Sequence, residues 1–133
     1  KKVGESRLAG LKTTSLGGHV NTTDVDGQTH LDPLALFIRG LAREAKEELS
    51  FINDIVPKWR IRGYINDISN EVGLVHFGIF ITIELDETEN ASIIDDGLIN
   101  HEWLSLDEMY NRLDEFEGWS QIVIKQVKDY GLN

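Results

Sequence analysis

The chain has 133 residues, 41% apolar and 27% charged, which fits one globular domain over 1–133 with a single core. A formal charge of −10 disfavours nucleic acid as a partner, and the lack of any cysteine excludes disulfides, thiolate metal sites and cysteine nucleophiles. No apolar run approaches the roughly 18 residues of a membrane span and no apolar block follows the basic start, so the expectation is a cytoplasmic protein without a membrane partner.

Residues 13–20 (TTSLGGHV) predict a short strand running into a glycine turn, and residues 21–32 a polar loop. Asp24-Val25-Asp26-Gly27 in that loop does not fit an EF-hand. Counted from Asp24, position six is Thr29 and position twelve is Ala35, where a calcium loop needs Gly and Glu. Asp32-Pro33 predicts a helix start, because the Asp side chain accepts from free N–H groups and Pro at the first position loses nothing. The helix is expected to run to about Ser50, with Leu34, Phe37, Ile38, Leu41, Ala45 and Leu49 on one apolar stripe. Residues 55–68 and 74–85 predict strands; in the second, Phe77, Ile79, Ile81, Ile83 and Leu85 alternate onto one face. A polar loop over 86–98 and a short strand over 99–104 follow. Ser105 then caps a helix with Glu108 as its capping-box partner, and a last helix spans Trp119 to Tyr130. The class is α+β, a sheet with helices packed on it.

The informative segment is Arg43-Glu44-Ala45-Lys46-Glu47-Glu48-Leu49. On a helix, Glu44, Glu47 and Glu48 fall within an arc of roughly 100°. That arc lies beside the apolar stripe, with Glu48 nearest it and expected to be partly buried. Converging carboxylates without matched bases repel, so their approach calls for a cation. Hard oxygen donors on one face suit Mg²⁺ or Mn²⁺. The competing reading is a solvated acidic face, with Arg43 and Lys46 as local ion-pair partners.

Arg43-Glu44-Ala45-Lys46-Glu47-Glu48-Leu49-Ser50-Phe51 resembles the second half of the Nudix signature, with Ser50 in place of the usual Gly, and Gly17-Gly18-His19-Val20 resembles its opening. Glu102-Trp103-Leu104-Ser105-Leu106-Asp107-Glu108 resembles the family's late strand running into a helix. The long loop after Gly-Gly-His, together with Gly4-Glu5-Ser6-Arg7-Leu8, is similar to a subgroup of predicted phosphoesterases. The resemblance implies an α/β/α sandwich around a mixed central sheet. It also implies a divalent-metal hydrolase of a nucleoside diphosphate linked to another group, or of a similar pyrophosphate. By the same resemblance, Glu44, Glu47 and Glu48 are metal ligands, with Gly18 supplying a backbone carbonyl. Glu44, Arg43 and Glu47 carry the catalytic role, and Gly17, Gly18 and His19 meet a small phosphorylated substrate. One more acid from a late loop is expected, with Glu89, Asp95, Asp96 and Glu102 as candidates and Glu102 and Asp96 foremost; a plain surface acid is the alternative for each.

Two departures stand out. Gly18 to Arg43 is twenty-five residues instead of fourteen, so an insertion of about eleven lies between them. The family's early Glu, which supports the arginine, has no direct match: counting forward from Gly18 gives Asp24, counting back from Arg43 gives Ala35, and Asp32 is better explained as a helix cap. Only sixteen residues precede Gly17, so the N-terminal strand of the sheet is expected to be missing or supplied by a second copy in a homodimer. The alternative function is a nucleotide-binding or sensing module without turnover. Isoprenoid diphosphate isomerase chemistry ranks far behind, for want of a cysteine. Trp59 and Trp103 read as sheet packing, Trp119 as core, His76 as a satisfied sheet residue, and His30 as a loop residue without a role.

Overall fold

The computed structural model describes residues 10–15, 17–25, 32–51, 58–85, 91–94 and 100–132. Helix α1 covers Pro33–Glu48, with Asp32 Oδ1 accepting from Leu34 N at 3.2 Å and Pro in the first turn, as the sequence predicts. The helix ends two residues earlier than expected. At Leu49 the backbone turns extended and continues directly as strand β1, Leu49–Phe51. Strand β4, Ala91–Ile93, pairs antiparallel with β1 in the register Leu49↔Ile93, Ser50↔Ser92. Ser50 is therefore a strand residue rather than the end of a helix, and 91–93 is not loop.

Strands β2, Lys58–Ile65, and β3, Gly78–Glu84, form a second antiparallel ladder. Its register shifts between Ile61 and Gly63, leaving Arg62 as the extra residue. Arg62 donates to Thr82 Oγ1 at 2.8 Å, pairs with Glu84 at 3.1 Å and reaches the Leu132 carbonyl, tying the bulge to the end of the last helix. Ile79, Ile81, Ile83 and Leu85 are half-buried, but so are Phe80, Thr82 and Glu84 between them, so burial does not alternate as the pattern predicts; Phe77 is exposed and stacks on Tyr64.

Helix α2, Leu106–Asn111, opens with the expected capping box of Ser105 and Glu108. Helix α3, Gly118–Tyr130, is capped by Glu117, which accepts from Ser120 N and Trp119 N, and ends at Gly131, whose φ of 76° few other residues adopt. Ile124 and Phe116 form the fully buried apolar centre among the described residues, with Ser120 beside them. The Trp119 ring lies against Gly78, where a Cβ would stand 2.6 Å from it, so α3 packs on β3 through a residue with no side chain.

The predicted strands at 13–20 and 99–104 are absent among the described residues. Just before the first region Lys12 makes a parallel bridge to Phe116, and within it Thr14 N donates to Ser120 Oγ at 2.9 Å. Those contacts fasten the segment to the start of α3 and deliver it to the glycine pair. Helices and small antiparallel ladders together make an α+β architecture. Among the described residues no helix is long and apolar enough to cross a membrane.

Candidate active site

The glycine pair and α1 enclose one cavity of about 460 Å³, lined by Gly17, Gly18, His19, Asn21, Thr23, Arg43, Glu44 and Glu47. Six of these were expected from the sequence; Asn21 and Thr23 were not. The contact begins at Gly40, a buried helix residue. A Cβ there would meet Asp24 Oδ2 at 3.2 Å and Val20 Cγ2 at 3.3 Å, so its absence lets the Thr22–Val25 turn seat on α1. One helical turn on, Arg43, Glu44 and Glu47 face the same loop.

Arg43 organises the site. Its Nε donates to Asp24 Oδ1 at 2.9 Å and its Nη2 to Asp24 Oδ2 at 3.3 Å, a two-pronged pair on a carboxylate that is almost wholly buried. Nη2 also donates to the His19 carbonyl at 2.8 Å, and Nη1 to Glu44 Oε1 at 2.8 Å and Glu47 Oε1 at 3.5 Å. Asp24 accepts as well from Asn21 N at 2.7 Å. The guanidinium, followed by the Asn21 N–H, holds the Asp24 carboxyl below the usual carboxylate range; Asp24 first and Glu44 second push Arg43 further above its own. Asp24 thus supports the arginine, the residue reached by counting forward from Gly18. It was legible as a position and not as a partner, because the pairing crosses nineteen residues.

Glu44 is the inner carboxylate, its side chain 14% exposed against 52% for Glu47. One oxygen takes the Arg43 hydrogen bond, while Oε2 is buried with no hydrogen-bond partner. Gly18 lies directly over this carboxylate: a Cβ would stand 2.0 Å from Glu44 Cδ and 2.4 Å from Oε2. Glycine is needed here for close approach. At Gly17 nothing lies within 4 Å of a Cβ.

The remaining candidates lie elsewhere. Glu48 is buried, as its place beside the stripe predicts, but is not part of the cavity lining. Among the described residues no group of three or more His, Asp and Glu side chains is arranged to hold a metal ion. Glu102 joins an ion-pair cluster with Lys12 and Arg112, which hold its carboxyl below the usual range, Lys12 having the larger effect. That cluster braces residue 12 against the approach to α2, away from the cavity lining. Glu89, Asp95 and Asp96 lie outside the described residues. Trp103 is 77% exposed rather than packed, and Leu34 and Ile38 of the helix stripe are exposed too. His76, read as a sheet residue, precedes β3 and places its ring 5.5 Å from that of His19.

No family model matches the chain. The protein YmaB of Bacillus subtilis is 32% identical over 126 residues, an alignment that spans 91% of this chain and 58% of YmaB. Among solved structures, Tm1382, described as "a putative Nudix hydrolase", superposes on 88% of this chain and 59% of its own with a TM-score of 0.60 and 22% identity. The chain therefore spans about three-fifths of the length of either protein. A glycine pair laid over a carboxylate helix, inside an α+β domain of this shape, gives the chain a Nudix-type fold.

Proposed function

We propose that the chain is a Nudix-type hydrolase that cleaves a diphosphate linkage in a small phosphorylated substrate with the help of Mg²⁺ or Mn²⁺. The observation that carries the reading is the buried Glu44 oxygen that lacks a hydrogen-bond donor, in a cavity shared with a second carboxylate and the backbone of a glycine pair. A carboxylate oxygen held dry without a donor is unfavourable unless a cation meets it. Glu44, Glu47 and backbone carbonyls of the glycine pair are hard oxygen donors, the set a small divalent ion takes. These residues would hold the ion, which when bound neutralises phosphate charge and favours ionisation of a water.

The chain's own residues do the rest. Arg43 fixes Glu44, Glu47 and the His19 carbonyl in one arrangement, itself fixed by Asp24. Open backbone at Gly17 and Gly18 lets phosphate approach closely. Water adds to one phosphorus and the bridging P–O bond breaks. The water proton passes to a carboxylate, Glu44 or Glu47 in this reading, and two phosphorylated products leave. The test is formation of the two phosphomonoester products from a panel of nucleoside diphosphate conjugates with Mg²⁺, with Mn²⁺ and with chelator. Turnover that depends on the ion and disappears in Glu44→Gln supports the proposal; no turnover of any conjugate by a protein that binds the ion favours a nucleotide-sensing module. That second reading draws on Glu48, which the fold withdraws from the cavity lining so that two helix carboxylates line it rather than three.

A further inference from the structure

This inference rests on the reading of the cavity as a diphosphate site. Among the described residues lining the cavity, Arg43 is the one permanent cation, and its guanidinium is already engaged by Asp24, Glu44, Glu47 and the His19 carbonyl. A phosphate entering there needs a further donor. His19 lines the cavity but is exposed, and an exposed side chain on a glycine loop samples several rotamers.

The segment before β3 brings a second ring beside it. Leu74, Val75 and Phe77 are 66%, 78% and 65% exposed, while His76 among them is turned inward and half-buried. Its ring stands 5.5 Å from the His19 ring at a tilt of 57°. His76 Nδ1 is 2.7 Å from the Val72 carbonyl oxygen, which can only accept, so Nδ1 carries the hydrogen and the ring orientation is set. The loop behind it is braced as well. Asn70 Oδ1 accepts from Val72 N and Gly73 N, and Gly73 presses so closely on the Asp67 carbonyl that a Cβ would stand 1.6 Å from its oxygen. His19 is thus held by Arg43 at its carbonyl, and its ring lies beside that of His76.

We propose that His76 is a positioning residue that holds the His19 imidazole as the phosphate-facing hydrogen-bond donor of the cavity, and that the group so recognised is a diphosphate. The test uses the whole chain and imidodiphosphate, a diphosphate that resists hydrolysis, titrated calorimetrically at saturating Mn²⁺ into wild type, His19→Ala, His76→Ala and the double variant. His76→Phe, which keeps a ring against His19 without the Val72 bond, serves if His76→Ala folds poorly. Each single change is expected to weaken imidodiphosphate about tenfold, in line with loss of one hydrogen bond to a charged group. The double variant is expected to be no weaker than His19→Ala, because His76 acts through His19. Mn²⁺ affinity in the absence of diphosphate stays at the wild-type value, which a general loosening of the site would not allow. Wild-type affinity in His76→Ala, losses that multiply in the double variant, or a wild type that binds Mn²⁺ but not imidodiphosphate would each overturn the inference. A wild type that binds no Mn²⁺ overturns the hydrolase reading beneath it instead.

Discussion

Two adjacent glycines make a paired experiment. At Gly18 an added methyl would lie 2.0 Å from Glu44 Cδ, 2.1 Å from Cγ and 2.4 Å from Oε2, whereas ordinary contact begins at 3.4 Å. Glu44 must retreat by about 1.4 Å in Gly18→Ala. The obstructing atoms are the end of a flexible side chain, so the carboxylate gives way rather than the helix or the loop. The stability loss then falls at the low end of overpacking, about 1 kcal/mol. On the proposed hydrolase reading the functional loss should be larger, because a displacement near 1 Å at a reacting centre lowers turnover about 100-fold. Mn²⁺ affinity should fall about 10- to 100-fold, the range seen when groups that orient metal ligands are disturbed. At Gly17 a Cβ meets nothing within 4 Å and φ is not in the left-handed region, so Gly17→Ala should keep Mn²⁺ affinity within about twofold of wild type and leave the melting temperature unchanged. Calorimetric Mn²⁺ titration and thermal melts of the two variants decide the matter without knowledge of the substrate. If Gly18→Ala binds Mn²⁺ as wild type does, or if the two variants lose affinity equally, close packing of the loop on Glu44 is not what shapes the site.

Other outcomes follow from the same contacts. Asp24→Asn keeps the shape and removes the charge that Arg43 grips. Because the folded Asp24 carboxyl titrates below its unfolded value, its contribution is fully present above about pH 4 and is lost as pH falls through the folded value. Wild type should therefore melt higher than Asp24→Asn at neutral pH, with the gap closing in acid; a gap independent of pH contradicts the pairing. Ile124→Ala empties the buried centre and should lower stability by about 2–5 kcal/mol in denaturant titration. Ser105→Ala removes one side of the α2 capping box, for a loss of about 1 kcal/mol by the same titration. Gly73→Ala drives a methyl into the Asp67 backbone carbonyl, an obstacle that cannot swing aside, and should lower the melting temperature far more than Gly18→Ala does.

How much of this could be read beforehand depends on how local each signal is. The start of α1 at Asp32-Pro33, the Ser105–Glu108 box and the span of α3 follow from neighbours within a turn, and all three stand in the structure. β2 and β3 are long enough for their apolar bias to show. β1 and β4 have three residues each and exist through pairing between 49–51 and 91–93, which no periodicity reveals. The segments at 13–20 and 99–104 have strand-like composition, but among their described residues Thr14 bonds Ser120 in the first turn of α3 and Glu102 pairs with Lys12 and Arg112. At the site, helical spacing pointed Glu44, Glu47 and Glu48 at one place with Glu48 partly buried, whereas the structure keeps Glu44 and Glu47 at the cavity and buries Glu48 outside its lining. The pairings of Asp24 and His76 escaped notice because their partners, Arg43 and His19, are nineteen and fifty-seven residues away.

In the proposed site Glu44 and Glu47 hold a divalent ion beneath the glycine pair. Mn²⁺ titration into wild type and a Glu44→Gln, Glu47→Gln variant tests it most directly, since these exchanges keep size and remove charge. Saturable binding in wild type that disappears in the folded variant is the predicted result. Equal binding by both proteins, or none by wild type, would contradict the account.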